Sequence, residues 1–262
     1  MAASAIRFAP MPIEVVLAAA GVVVVGVTDT LLALRVLRAY RKARRVPHLV
    51  IVYGIASSFF AVLGASIVFA AEGSPVLAEG LAWDIARITG FGGAALAYGL
   101  VGVFATSALA RSAAMKRASY AVLAALASVA AVAALASPRE IGTIATTAWG
   151  MRLPFVALAL LGSGYGFLES RSLVAAYERA RAAGRAVDRV ALARMRTMGH
   201  GFAAMAAGQA PLLGFAPGGR FDTPLGYACV ATLLLGALGF VLACVVTWAT
   251  PAFVRARWEA AP

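Results

Sequence analysis

The stretch IEVVLAAAGVVVVGVTDTLLAL, residues 13–34, is an apolar run with only two charged residues, Glu14 and Asp29. It is followed directly by RVLRAYRKARR, residues 35–45, in which six of the eleven residues are Arg or Lys. About 20 apolar residues in a helix span the ~30 Å hydrocarbon core of a bilayer. The two segments together predict a membrane-spanning helix that ends at a basic membrane surface.

The composition extends this interpretation to the whole chain of 262 residues. It is 62% hydrophobic and 13% charged, with a mean hydropathy of +0.88, whereas soluble domains are about half apolar and a quarter charged. Six further apolar stretches are long enough to span a bilayer: 49–71, 88–110, 119–137, 147–168, 197–215 and 225–249. We therefore expect an all-α fold, a polytopic bundle of seven transmembrane helices that forms a single integral membrane domain over residues 1–262.

The distribution of basic residues predicts the orientation of this bundle. Of the 23 Lys and Arg residues, eighteen lie after the first, third, fifth and seventh apolar stretches, and five lie on the opposite side. Because basic residues are retained on the cytoplasmic side, we expect the N-terminus outside and the C-terminus in the cytoplasm of a cell inner or plasma membrane. The formal net charge of +12 is explained in this way without a nucleic acid partner.

A basic surface is predicted at the cytoplasmic side. In the segment 169–196 the apolar residues recur at helical spacing, which predicts that the fifth and sixth helices extend into it with a break near Gly184. Its arginines and those of the first loop suit contact with anionic lipid of the bilayer or with an acidic partner protein; they are Arg41, Lys42, Arg44, Arg45, Arg181, Arg185 and Arg189. A homo-oligomer or a larger membrane complex remains open.

Ionisable and polar side chains inside a membrane are costly and point to function. Asp29, Glu169 and Gln209 fall inside or at the ends of the apolar stretches. Pro211 removes an intrahelical hydrogen bond, and we expect a helix break around residues 208–211. These four residues predict a path or pocket for a small solute, as in a transporter.

The two histidines offer an alternative function. His48 and His200 are each expected at the cytoplasmic start of a helix, where imidazoles could bind haem or a metal ion. A quinone site would use the same groups, so a subunit of a redox complex is the second hypothesis. A sensor or assembly subunit, whose glycine-rich helices pack against partner chains, is the third.

The topology resembles that of microbial rhodopsins, but retinal requires a lysine deep in the seventh helix. The only lysines, Lys42 and Lys116, lie in predicted loops, which excludes retinal as a cofactor. No catalytic motif is present, and the sequence favours no enzymatic activity of the chain by itself. A weak internal similarity suggests a 3+1+3 parallel pseudo-repeat; it pairs Gly26, Asp29, Tyr40 and His48 with Gly166, Glu169, Tyr177 and His200.

Overall fold

The computed structural model describes residues 13–73, 80–109, 112–136, 149–214 and 223–260. Within these ranges the chain is all-helical. Eight helices follow one another: α1 (Ile13–Ala43), α2 (Val46–Gly73), α3 (Gly80–Leu109), α4 (Ala113–Ala136), α5 (Trp149–Ala182), α6 (Arg189–Gly214), α7 (Pro224–Trp248) and α8 (Ala252–Ala260). The edges predicted at residues 110, 137, 147 and 215 lie outside the described residues.

Five of these helices, α1, α2, α3, α5 and α7, are long and apolar enough to cross a membrane. The predicted count of seven spans is not confirmed, because α4 and α6 are not among the five. In α6 the polar side chains of His200 and Gln209, together with Pro211, lower the apolar content of the helix. The all-α class and the presence of several candidate spans agree with the sequence prediction.

Several helices are longer than the apolar stretches that predict them. Helix α1 continues through the basic segment to Ala43, and α3 begins at Gly80, eight residues before the predicted start. Lys and Arg are good helix formers, so the backbone hydrogen bonds continue beyond the apolar part. The short helix α8 follows α7 and is not predicted from the sequence.

Tight turns connect α1 to α2 and α5 to α6 at the arginine-rich end of the bundle, which carries the basic segments 35–45 and 171–196. Helix α1 ends with Arg44 in the left-handed conformation, φ 52°, and the Arg44 N–H donates to Tyr40 O at 2.7 Å. Helix α5 ends similarly before Gly184, φ 71°, and the Asp188 side chain accepts from the Ala191 N–H to cap α6. These turns make α1 and α2, and also α5 and α6, antiparallel neighbours.

The helices pack in a simple order. Neighbouring pairs are α1 with α2, α2 with α3, α3 with α5, α5 with α6, and α6 with α7. Helix α7 also touches α1 and α2, so that the helices from α1 to α7 form a closed ring. Helix α4 lies against α3 and α5. The short α8 rests against α6. The four helices α2, α3, α6 and α7 therefore surround a common interior.

Apolar side chains also cover the outside of the bundle. On α1, Val23, Val24 and Leu31 are each more than 60% exposed. A surface of this kind avoids water and suits the acyl chains of lipid, since monomeric soluble proteins rarely expose large continuous apolar patches. The exterior thus agrees with a protein that resides in a membrane.

The closest helix contacts are made at glycines. A Cβ atom built on Gly93 of α3 would lie 2.9 Å from Ser57 O of α2, and one built on Gly236 of α7 would lie 2.7 Å from Gly208 Cα of α6. Real side chains essentially never approach backbone atoms so closely. Small residues at these positions allow the backbones to touch, which is how membrane helices gain packing energy.

Replacing Gly93 by Ala tests this packing. The added methyl group meets the α2 backbone, and we expect the variant to lose roughly 1–3 kcal/mol of unfolding free energy. A Cβ atom added to the adjacent Gly92 would have no other atom within 4 Å, so Gly92→Ala is the matched control and retains wild-type stability. Thermal unfolding in one detergent compares the two, and equal midpoints for both variants would contradict the contact.

Candidate functional site

A small cavity of about 50 Å³ lies between α2, α3, α6 and α7. Its wall includes Ile55 of α2, Val101 and Phe104 of α3, Met205 of α6 and Phe240 of α7. Apart from the Ser58 hydroxyl group and the Cys244 thiol, the described side chains that line it are apolar. The space forms because α2 packs closely on α3, and α6 on α7, while α2 and α7 touch only at a few positions.

The Asp29 carboxyl group of α1 lies beside Ser58, which is one of the residues that line this cavity. Ser58 Oγ lies 3.2 Å from Asp29 Oδ2 and 2.7 Å from Ile55 O of its own helix. A serine hydroxyl has one proton, so it donates to only one of these oxygens at a time. When it donates to Ile55, a protonated Asp29 is able to donate to Ser58; the pair therefore accommodates both protonation states of the carboxyl group.

A second polar pair lies between α3 and α6. The Gln209 side chain is 1% exposed and lies next to the Tyr98 side chain, while its Oε1 atom has no hydrogen-bond partner among the described residues. Gln209 follows Met205 by one helical turn, and Tyr98 follows Ala97; Met205 and Ala97 both line the cavity. The unpartnered Oε1 atom of Gln209 therefore belongs to a residue one helical turn from Met205, which lines the cavity.

The structure places the four residues predicted to form a solute path on three helices: Asp29 on α1, Glu169 on α5, and Gln209 and Pro211 on α6. The Asp29 carboxyl group accepts a hydrogen bond from Ser58. Glu169 is partly buried on α5 and does not line the cavity. The expected helix break at Pro211 is not observed: α6 is helical from Arg189 to Gly214, and the proline removes one backbone hydrogen bond to the preceding turn without ending the helix.

His48 is buried at the start of α2, with 3% of its surface exposed. Its Nδ1 atom lies 3.3 Å from Arg45 O, and its Nε2 atom lies 3.2 Å from Trp248 O at the end of α7. The Trp248 ring packs edge-on against the imidazole at 5.4 Å. Both ring nitrogens face carbonyl oxygens, so metal or haem ligation by His48 requires the ring to leave this position.

His200 has a different environment. It lies on α6 with its side chain exposed, one residue before Gly201, which packs against α7. Within the described ranges, no group of three or more His, Cys, Asp or Glu side chains is placed to hold a metal ion. His48 is thus buried against the end of α7, whereas His200 lies on the surface of α6.

The predicted basic surface is exposed at the arginine-rich end. Its seven members, Arg41, Lys42, Arg44, Arg45, Arg181, Arg185 and Arg189, all have exposed side chains. The Arg44 guanidinium lies 5.8 Å from the centre of the Tyr40 ring. On α8, the hydrogen-bonded Glu259 carboxylate raises the pKa of Arg255 above its ordinary value.

Sequence reasoning did not identify Ser58 or the aromatic wall that Phe104 and Phe240 give the cavity. Ser58 lies in the run SSFF of an apolar helix, where serine is ordinarily satisfied by its own backbone. Its proximity to Asp29 follows from the packing of α1 on α2, which the order of residues does not show.

Comparisons of the chain with protein-family models, with curated proteins and with solved structures gave no match.

Replacing His48 by Ala tests its role at the end of α7. The Trp248 carbonyl group loses its partner and the tryptophan ring loses a contact, so we expect a loss of roughly 1–3 kcal/mol in unfolding free energy. His200→Ala removes the same side chain from an exposed position and leaves stability unchanged. Thermal unfolding of both purified variants measures the difference; an unaltered His48→Ala protein would contradict the hydrogen bond.

Proposed function

We propose that the chain is a multi-pass plasma-membrane protein with seven spanning helices, in which α4 and α6 join the five apolar candidates. The N-terminus is outside and the C-terminus is cytoplasmic. The antiparallel order of the helices supports this, because it brings the basic segments at residues 35–45, 171–196 and 255–257 to one end. The peripheral position of α4, against α3 and α5, is compatible with the linker helix of a 3+1+3 repeat.

We further propose that this bundle binds a small solute in its interior and moves it across the membrane. The observation that carries the proposal is the cavity with Ser58 in its lining and the Asp29 carboxyl group hydrogen-bonded to that serine. An acidic side chain within a membrane helix is costly unless it faces protein, water or a ligand. Here it faces the serine that borders the cavity.

The lining favours one class of solute, a small organic cation. Phe104 and Phe240 contribute aromatic surface to the cavity, and their rings lie 6.2 Å apart, edge to face. Aromatic faces attract quaternary and other organic ammonium groups, and the Asp29 carboxylate supplies a negative charge. The cavity is smaller than the ~150 Å³ apolar cavity that binds benzene, which limits the solute to a few non-hydrogen atoms in this conformation.

Radiolabelled methylammonium is a suitable probe, because it is small enough for the cavity and carries a positive charge at neutral pH. We expect saturable uptake into proteoliposomes that contain the wild-type protein. Asp29→Asn removes the negative charge and lowers uptake at least about tenfold, since an unpaired charge in a membrane is expensive. Ser58→Ala gives a smaller reduction through the loss of one hydrogen bond.

Thr30→Val is the matched control, because Thr30 follows Asp29 on α1 and is exposed on the outside of the bundle. It retains wild-type uptake. Absence of saturable uptake by the wild-type protein, or equal uptake by Asp29→Asn, would contradict the proposal. A Soret band in the purified protein that disappears in His48→Ala would favour the haem-binding alternative instead.

A further inference from the structure

Two arginines from different helices meet at the end of α7. Arg35 of α1 donates through Nε to Ala249 O at 3.2 Å, and Arg194 of α6 donates through Nη2 to Thr250 Oγ1 at 3.3 Å. We call residues 248–251, between the last turn of α7 and the start of α8, the α7–α8 junction. The two guanidinium groups are thus fixed at consecutive residues of this junction.

Neither arginine has an acidic partner among the described residues. The exposed ion pairs in this part of the chain join Arg196 to Glu178 and Arg255 to Glu259, so neither carboxylate neutralises Arg35 or Arg194. The Arg194 Nε atom is buried without a hydrogen-bond partner, and so is Nε1 of Trp248 in the junction itself. Buried N–H donors without acceptors are unfavourable.

A group with negative charge would compensate the two guanidinium groups and offer acceptors to their remaining N–H groups. A phosphate group offers several strong acceptor oxygens, and guanidinium groups bind phosphate through paired hydrogen bonds. We propose that the α7–α8 junction binds the phosphate of an anionic phospholipid, with Arg35 and Arg194 as its ligands.

The position of the junction favours lipid as the source of the phosphate. It follows the apolar helix α7 directly, so it lies where the hydrocarbon core gives way to the head groups. On α8, the Phe253 side chain is 77% exposed three residues after Thr250 and offers apolar surface beside the junction. Basic pockets between helices at the cytoplasmic side are a common binding place for anionic head groups.

Titration of the detergent-purified protein with phosphatidylglycerol, followed by native mass spectrometry and by thermal shift, tests the proposal. The wild-type protein binds phosphatidylglycerol with a raised unfolding temperature. Arg194→Gln and Arg35→Gln each weaken this binding roughly tenfold, as expected for the loss of a charge-assisted hydrogen bond. Arg194→Lys keeps the positive charge but loses the planar guanidinium group, so we expect an intermediate affinity. This variant also tests the site if Arg194→Gln fails to fold.

Arg117→Gln is the matched control, because it removes one exposed arginine at the start of α4, away from the junction. It binds phosphatidylglycerol as the wild-type protein does. Equal affinities for the wild type, Arg35→Gln and Arg194→Gln would overturn the proposal in favour of a general basic surface. Inorganic phosphate that gives the full thermal shift, with none added by phosphatidylglycerol, would also overturn it, since the ligand would then be free phosphate.

Discussion

Close contact between helix backbones at glycine is the constraint on which the arrangement of this protein depends. In lipid, apolar side chains gain little from meeting one another, and association rests on packing and on internal hydrogen bonds. Gly93 holds α3 against α2, and the facing Gly208 and Gly236 hold α6 against α7. Each pair behaves as one packed unit, and the cavity lies between the two units, where the side chains are large and the contacts fewer.

The polar groups of the interior follow from the same arrangement. Asp29 is presented to Ser58 because α1 packs on α2, and Gln209 meets Tyr98 across α6 and α3. Neither pair satisfies all of its hydrogen-bonding capacity within the described residues: Ser58 divides one proton between two oxygens, and Gln209 retains a free amide oxygen. Such incomplete pairing beside an apolar space is the physical basis of the proposal that the interior binds a solute.

The end of α7 combines a structural and an electrostatic role. The last carbonyl groups of a helix have no intrahelical donor and carry partial negative charge, so cationic and N–H groups stabilise them. His48 supplies one such contact and Arg35 another, from helices that are far apart in sequence from α7. Together with Arg194 at Thr250, this convergence ties α1, α2 and α6 to α7, and it also concentrates positive charge at one point of the membrane surface.

The sequence by itself determined the helical class, the approximate positions of the apolar segments and the separation of basic from apolar surface, because these depend on composition and local periodicity. It identified Asp29 and Gln209 as unusual, since each is a polar residue in an apolar run. It predicted a helix break at Pro211, whereas α6 remains helical to Gly214. Only the tertiary structure decided that Ser58 faces Asp29, that His48 closes the end of α7 and that His200 does not, because these outcomes depend on which face of each helix meets its neighbour. That rotation is fixed by glycine contacts between segments distant in sequence, and no local pattern in the chain encodes it.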